Sequence, residues 1–244
     1  MRFLSETSSG GVREQLFSLD EIPGVLWTPH DAAGPRPLIL LGHGGGQHKK
    51  APGVVARARR FAAECGFAAA AVDAPNHGDR PNDEKYDRIV AQMQVQMAAG
   101  EEPGPLIADF QAFAARQSVP EWRAVVDAIQ ELDYVGTGPL GYWGVSLGCG
   151  LGAPFVAAEP RVRAAVLGLG LGGTAALAAA AQITVPVEYL MQWDDERVPR
   201  EQSLALFDAL ASAEKTLHAN PGEHGDMPRF EVDSTVRFFA RHLG

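Results

Sequence analysis

Tyr142-Trp143-Gly144-Val145-Ser146-Leu147-Gly148-Cys149-Gly150 is the stretch whose reading decides the fold. It holds the pattern G-x-S-x-G. An apolar run from Pro139 to Trp143 precedes it and reads as a buried strand; a run of small residues follows and reads as a helix. A chain that turns from strand to helix within a residue or two brings backbone against backbone, and Gly144 and Gly148 remove the side chains that would collide. The serine at the tip takes a strained backbone and presents its oxygen above the sheet edge. The helix N-terminus behind it offers aligned N–H groups to a developing oxyanion. The chain has 27 glycines, so the pattern also arises by chance, and the strand–turn–helix setting carries the reading.

Outward from that turn, strand and helix signals alternate. Leu38 to Leu41 is a continuous apolar run of the kind a strand buried on both faces shows, and it ends in His43-Gly44-Gly45-Gly46. Val54, Ala58, Phe61 and Cys65 share one helical face, with Gly66 as a stop. Phe67 to Val72 reads as the next strand and runs into the polar turn Asp73 to Arg80. Beyond the serine, strands are expected at Ala164 to Leu169, Val187 to Gln192 and Thr216 to Ala219. Helices are expected at Thr174 to Ala181, through Leu204, Phe207 and Leu210, and at Phe230 to His242. Two short strands, Val12 to Phe17 and Val25 to Thr28, stand before the alternation. The pattern predicts an α/β protein with a mostly parallel central sheet flanked by helices, in one domain over residues 1–244.

Residues 82–117 interrupt it. Tyr86, Ile89, Val90, Met93 and Met97 share one helix face up to Gly100, and Leu106, Phe110 and Phe113 mark a second helix. Ser118-x-x-Glu121 reads as a capping box that starts the crossover helix of Trp122, Val125, Val126 and Ile129. The two helices before it are then a cap-like insertion over a ligand site, with Met93 and Met97 either lining it or filling core space.

Composition narrows the function classes. A net charge of −9 argues against nucleic acid or an anionic membrane as partner, since both select a basic face. Two cysteines, Cys65 and Cys149, suit a reducing compartment without a disulfide framework. The opening residues lack the apolar core of a secretion signal, so a cytoplasmic location is expected. The oligomeric state is left open, a homodimer included.

The polar turns fall at the carboxyl ends of the expected strands, where α/β sheets bind ligands. They carry His43-Gly44-Gly45, then Ser146, then Asp194-Asp195, then His224. Gly144-x-Ser146-x-Gly148, Asp195 in Asp-Glu-Arg-Val-Pro and His224 in Pro-Gly-Glu-His-Gly together resemble the α/β-hydrolase superfamily, and small esterases similar to dienelactone hydrolase look nearest. His43-Gly44-Gly45 resembles its oxyanion loop and Asp73-Ala74-Pro75-Asn76-His77-Gly78 the turn after the following strand. One departure is the nucleophile position: dienelactone hydrolase uses cysteine where this chain has Ser146. The resemblance implies an α/β-hydrolase fold and a serine esterase acting on a small-molecule ester, without cofactor or metal.

The chemistry assigns the roles. A serine hydroxyl needs a base to take its proton as it attacks, and His224 is the candidate. A carboxylate must hold the imidazole; the spacing that resembles the family's points to Asp195, with Asp194 as rival and Asp226 more distant. The oxyanion donors are the Leu147 N–H and, by resemblance, that of Gly45, with Gly44 next. Candidate substrate contacts are His43 and Gly44 at that loop, Met93 and Met97 on the insertion, and Trp193 beside the acid. Rival readings are a metal-dependent hydrolase built on His43, His48, Asp73, His77 and Asp79, and a non-catalytic receptor on the same fold. The same triad also suits an acyltransferase or a peptidase.

Overall fold

The apolar runs form the middle of one nine-stranded sheet. The structure, a computed structural model, describes residues 1–99, 101 and 104–244, apart from the side chain of Met97. Leu38–Gly42 (β4), Ala68–Val72 (β5), Leu140–Val145 (β6), Val162–Gly168 (β7), Val187–Gln192 (β8) and Lys215–Asn220 (β9) are mutually parallel. Three antiparallel strands, Arg2–Ser9 (β1), Val12–Leu19 (β2) and Ile22–Pro29 (β3), extend the sheet beyond β5, giving the order β1-β2-β3-β5-β4-β6-β7-β8-β9.

Side chains alternate between two cores, as the period of two along a strand requires. Leu38 and Leu40 of β4 enter one core and Ile39 and Leu41 the other. The first is covered by Gly104–Gln130 (α3) and Leu147–Ala158 (α4), with Thr174–Ala180 (α5) and Arg200–Ala209 (α6) beside them. The second is covered by Pro52–Cys65 (α1) and Phe230–Leu243 (α7), which meet through Phe61 and Phe239 at 5.5 Å.

The strand order decides where the chemistry sits. From β4 the chain goes to β5 on one side, then crosses to β6 on the other, so β4 is a topological switch point. Because β4 pairs with β6 up to Gly42 opposite Gly144, the glycine loop after β4 and the serine turn after β6 emerge side by side.

Several expectations need correction. The capping box is absent: Ser118 is fully buried inside α3, which runs unbroken from Gly104 to Gln130. Phe110, Ala114, Ser118, Trp122, Val125 and Ile129 form one buried stripe at helical spacing, and packing along it carries the helix through Pro120. Glu121, the expected capping partner, instead pairs with Arg80 at 2.8 Å. Half of the expected insertion is therefore the first part of the crossover helix, while Glu84–Ala98 (α2) packs on it through Tyr86 against Phe110 and Phe113 at 5.2 and 5.5 Å. The stop at Gly100 and the side chain of Met97 lie outside the described residues; Met93 packs against the core. Cys65, the last residue of α1, is only half-buried. His242 is half-buried against Phe238, 4.7 Å away. Strand β1, which no signal announced, is exposed along its whole length. Among the described residues no helix is long and apolar enough to cross a membrane.

Candidate active site

Ser146 is the single residue between β6 and α4, and its backbone is turned to φ 58° and ψ −121°. A non-glycine residue held there stores about 1–3 kcal/mol, and the surroundings fix it. The Ser146 N–H donates to the Gly168 carbonyl of β7 at 3.0 Å, while the Ser146 carbonyl accepts from Cys149 and Gly150 at 3.0 Å each. The two glycines of the motif have the steric task the sequence implied. A Cβ on Gly144 would lie 2.5 Å from the Gly148 oxygen, and one on Gly148 would lie 2.7 Å from the Gly42 oxygen.

Tyr142, which the sequence showed only as a strand residue, fills the space beneath this turn. Its hydroxyl donates to the Gly148 carbonyl at 2.6 Å, and a side chain on Gly42 or Gly152 would strike its phenol. Burial pushes the phenol well above its usual pKa, so it stays a donor. The signal was present, three glycines facing one tyrosine, but it is scattered over 110 residues between Gly42 and Gly152.

The serine, histidine and acid turns meet above the sheet. Ser146 Oγ lies 2.9 Å from His224 Nε2, and His224 Nδ1 lies 2.7 Å from Asp195 Oδ2. The other carboxylate oxygen, Oδ1, accepts the N–H groups of Arg197 and Val198 at 2.8 and 2.9 Å. Burial alone would raise the Asp195 carboxyl, but His224 and those two N–H groups hold it below its usual value. An ionised carboxylate only accepts, so Nδ1 carries the imidazole proton and Nε2 is free to accept from the serine hydroxyl. Asp194 does something else: its Oδ2 accepts the Gly222 N–H at 3.3 Å. Asp226 caps its own turn by accepting the Glu223 N–H at 3.0 Å.

The glycine loop is held by His43. This imidazole is 3 % exposed and burial lowers its pKa to about 4, so it is neutral. Nε2 accepts the Ala74 N–H at 3.0 Å, which leaves the proton on Nδ1, and Nδ1 donates to the Gly44 carbonyl at 2.9 Å. A peptide unit is planar and trans, so fixing the Gly44 carbonyl aims the Gly45 N–H the opposite way. Among the described residues neither the Gly45 nor the Leu147 N–H has a hydrogen-bond acceptor. The Cβ position of Gly45 lies 4.0 Å from Leu147 Cβ, so the two residues sit side by side. His43 thus acts on the loop rather than facing a substrate.

Lys49, also not singled out by the sequence, braces the same loop from behind. Its ammonium lies 2.6 Å from both Asp73 and Asp79, and its N–H donates to Asp73 at 2.7 Å. Asp73 is fully buried. Burial would lower the ammonium pKa, yet the two aspartates hold it above the usual value. These bonds occupy three of the five residues of the metal reading, His43, Asp73 and Asp79. Among the described residues the His/carboxylate group close enough to share one ion is Glu188, His218 and Glu231, on β8, β9 and α7. It is a closed network: His218 and Asn220 each donate to Glu231 at 2.8 Å, and Ser234 and Thr235 donate to Glu188 at 2.9 and 3.2 Å.

Trp193 stands two residues before Asp195 and is 43 % exposed, with the Arg200 guanidinium 3.9 Å from its ring centroid. Cys149, three residues after Ser146, is buried and its thiol is pushed up to about 12, far from a nucleophile at neutral pH.

Comparison with known proteins bears on the fold and the family. A cold-adapted esterase from an Arctic intertidal metagenomic library is 33% identical over the full length of both chains, with a TM-score of 0.82. The chain belongs to the α/β-hydrolases. The hydrolase fold extends to more distant structures. An acetyl xylan esterase from Paenibacillus sp. R4 is 16% identical, over 99% of this chain and 88% of that one, with a TM-score of 0.72. An S-formylglutathione hydrolase from Agrobacterium tumefaciens is 14% identical over the whole of both chains, with a TM-score of 0.71. At those identities the likeness concerns the fold alone. No family model and no curated protein matches this α/β-hydrolase.

Proposed function

We propose that this α/β-hydrolase is a serine carboxylesterase that works through an acyl-enzyme on Ser146. The observation that carries the reading is the unbroken chain from Ser146 Oγ to His224 to Asp195, at 2.9 and 2.7 Å, on a strained turn. Ser146 Oγ attacks the ester carbonyl while His224 Nε2 takes its proton, and the oxygen that gains charge is met by the Leu147 and Gly45 N–H groups. The C–O bond to the alcohol breaks as His224 returns the proton to the leaving oxygen. Water then gives a proton to His224 and attacks the acyl-serine, and the bond from the acyl carbon to Ser146 Oγ breaks as His224 returns the proton to Oγ, releasing the carboxylic acid. Asp195 keeps the imidazole in the required tautomer and stabilises its protonated form. Ser146, His224 and water account for every proton and electron pair in this cycle.

Within the superfamily we place the chain with small esterases similar to dienelactone hydrolase, on its motifs, with serine in place of cysteine. Its substrate is an ester of a small or medium acyl group. The first half of α3 lies over the site side of the sheet: Gln111 packs on Gly150 of α4, and Ala108 on Gly173 beyond β7. With α2 it forms a cap-like cover that limits acyl length, Met93 belonging to that cover and Trp193 to its rim. The negative net charge accords with a protein that binds neither nucleic acid nor an anionic membrane, and a cytoplasmic location accords with two free cysteines.

A panel of p-nitrophenyl esters from acetate to laurate tests this. Turnover is expected to fall with acyl length, and Ser146→Ala is expected to remove about 10⁴- to 10⁶-fold of kcat. Wild-type protein that turns over none of the esters, or Ser146→Ala that matches wild type, refutes it.

A further inference from the structure

Asp194, Asp195 and Glu196 follow β8 in a row, and all three carboxylates end on the turn that carries His224. Asp194 Oδ2 accepts the Gly222 N–H at 3.3 Å, and the Asp194 N–H donates to the Gly222 carbonyl at 3.2 Å. Asp195 Oδ2 takes the imidazole Nδ1–H at 2.7 Å. Glu196 Oε2 takes the backbone N–H of His224 itself at 2.8 Å.

The turn needs such holding. It spans the residues between β9 and α7 without helix or strand, and β9 is the edge of the sheet. Gly222 sits at φ +113°, a Cβ on Gly225 would meet nothing within 4 Å, and the bonds inside the turn join Glu223 with Asp226. Asp195 grips the imidazole at Nδ1 alone, which leaves the ring able to shift with the backbone that carries it. A bond to the backbone N–H of His224 removes that freedom. Arg197 Nε, 2.9 Å from Oε1, keeps the Glu196 carboxylate aimed. The bond from the His224 N–H is also the main reason that this carboxyl is held below its usual pKa, so it is ionised wherever a neutral imidazole acts as base.

We infer that Glu196 is a positioning residue: it pins the backbone of His224 so that Nε2 stays within reach of Ser146 Oγ, while Asp194 pins the residue two before. The inference rests on the proposed roles of Ser146, His224 and Asp195. It assigns the three consecutive acids three separate tasks, one on the imidazole and two on the backbone that presents it. A displaced base slows the chemical step and leaves substrate binding alone, so the effect belongs in kcat and not in KM.

The test compares Glu196→Ala with Glu196→Gln in the full chain, on p-nitrophenyl acetate, with thermal melting alongside. Glutamine still offers a carbonyl oxygen to the His224 N–H, and alanine offers nothing. In Glu196→Ala, kcat is expected to fall about 10- to 100-fold, with KM within twofold of wild type and melting within a few degrees. Glu196→Gln is expected to recover kcat to within about threefold of wild type by that same reasoning. Proton NMR reads the clamp without turnover. The downfield Nδ1–H resonance of the His224–Asp195 bond is expected to be sharp in wild type and Glu196→Gln, and broadened or lost in Glu196→Ala. The clamp is overturned if that resonance is the same in all three, if Glu196→Gln is as impaired as Glu196→Ala, or if kcat falls only in step with melting. A wild type that shows the NMR pattern yet turns over no ester sinks the esterase reading and leaves the clamp standing.

Discussion

Replacing His43 separates its two hydrogen bonds and reads each one in a different assay. In His43→Ala, the buried Ala74 N–H loses its acceptor at 3.0 Å and the Gly44 carbonyl loses the shorter of its two bonds, 2.9 Å, keeping the Gln47 N–H at 3.2 Å. The stranded Ala74 N–H costs about 1–3 kcal/mol, and the lost bond to the Gly44 carbonyl about 0.5–1.5 kcal/mol. Together that is roughly 1.5–4.5 kcal/mol, or about 3–18 °C of melting temperature for a chain of this size. The catalytic loss has another source. With only the longer Gln47 bond left on the Gly44 carbonyl, the Gly44–Gly45 peptide can tilt and the Gly45 N–H no longer faces the oxyanion, a loss of about 2.7–4 kcal/mol or 10²- to 10³-fold in kcat. His43→Asn is the discriminating partner, because its amide reaches the Gly44 carbonyl but not the Ala74 N–H. Steady-state kinetics on p-nitrophenyl acetate beside thermal melting should find kcat largely restored by asparagine and stability not restored. If His43→Ala keeps kcat within threefold of wild type, or if asparagine is no better than alanine, the histidine does not hold the oxyanion loop.

His43 also sets a pH dependence. Its pKa is about 4 in the folded protein against 6.5 in a free side chain, so between those values the unfolded chain binds the extra proton. Stability is therefore full above about pH 6.5 and is lost as pH falls toward 4, by roughly 3 kcal/mol at most; urea denaturation at pH 7.5 and 4.5 should show this loss in wild type and less of it in His43→Asn. Gly148→Ala would place a methyl 2.7 Å from the Gly42 oxygen with only backbone to yield, so about 1–3 kcal/mol of stability and much of kcat should go. Gly53→Ala, whose methyl meets only the end of Arg57 at 3.2 Å, is the control and should lose neither in the same melting and kinetic assays. Lys49→Met leaves Asp73 buried without its cation and should cost about 3–5 kcal/mol in urea denaturation; an unchanged midpoint would mean the pair is not what braces the loop.

Much of the fold was legible because burial leaves a period in the sequence. β4 and β5 are buried at every position and appear as unbroken apolar runs, which is the signal a strand covered on both faces leaves. β1 leaves none: all eight of its residues are exposed, so no position had to be apolar. The break at Ser118 failed for the opposite reason. A local capping pattern lay across a buried stripe that continues from Phe110 to Ile129, and packing over several turns outweighs one cap. At the site, the serine turn and the histidine carry their own local patterns. The choice between Asp194 and Asp195 did not, since both carboxylates reach the same turn and differ only in which atom they meet, Gly222 N–H or imidazole. Tyr142 and Lys49 were invisible for a related reason. Their partners, Gly42 and Gly152 in one case, Asp73 and Asp79 in the other, come together only when the strands pair.

The central claim is that Ser146 is an activated nucleophile, and a fluorophosphonate tests it most directly. The purified protein is incubated with the probe and its intact mass and labelled peptide are measured, beside Ser146→Ala. One phosphonyl group per chain, on Ser146, and none on the alanine variant is the expected result. Folded wild-type protein that takes up no label from this probe or from a smaller phosphonate, or that is labelled equally in Ser146→Ala, would contradict the account.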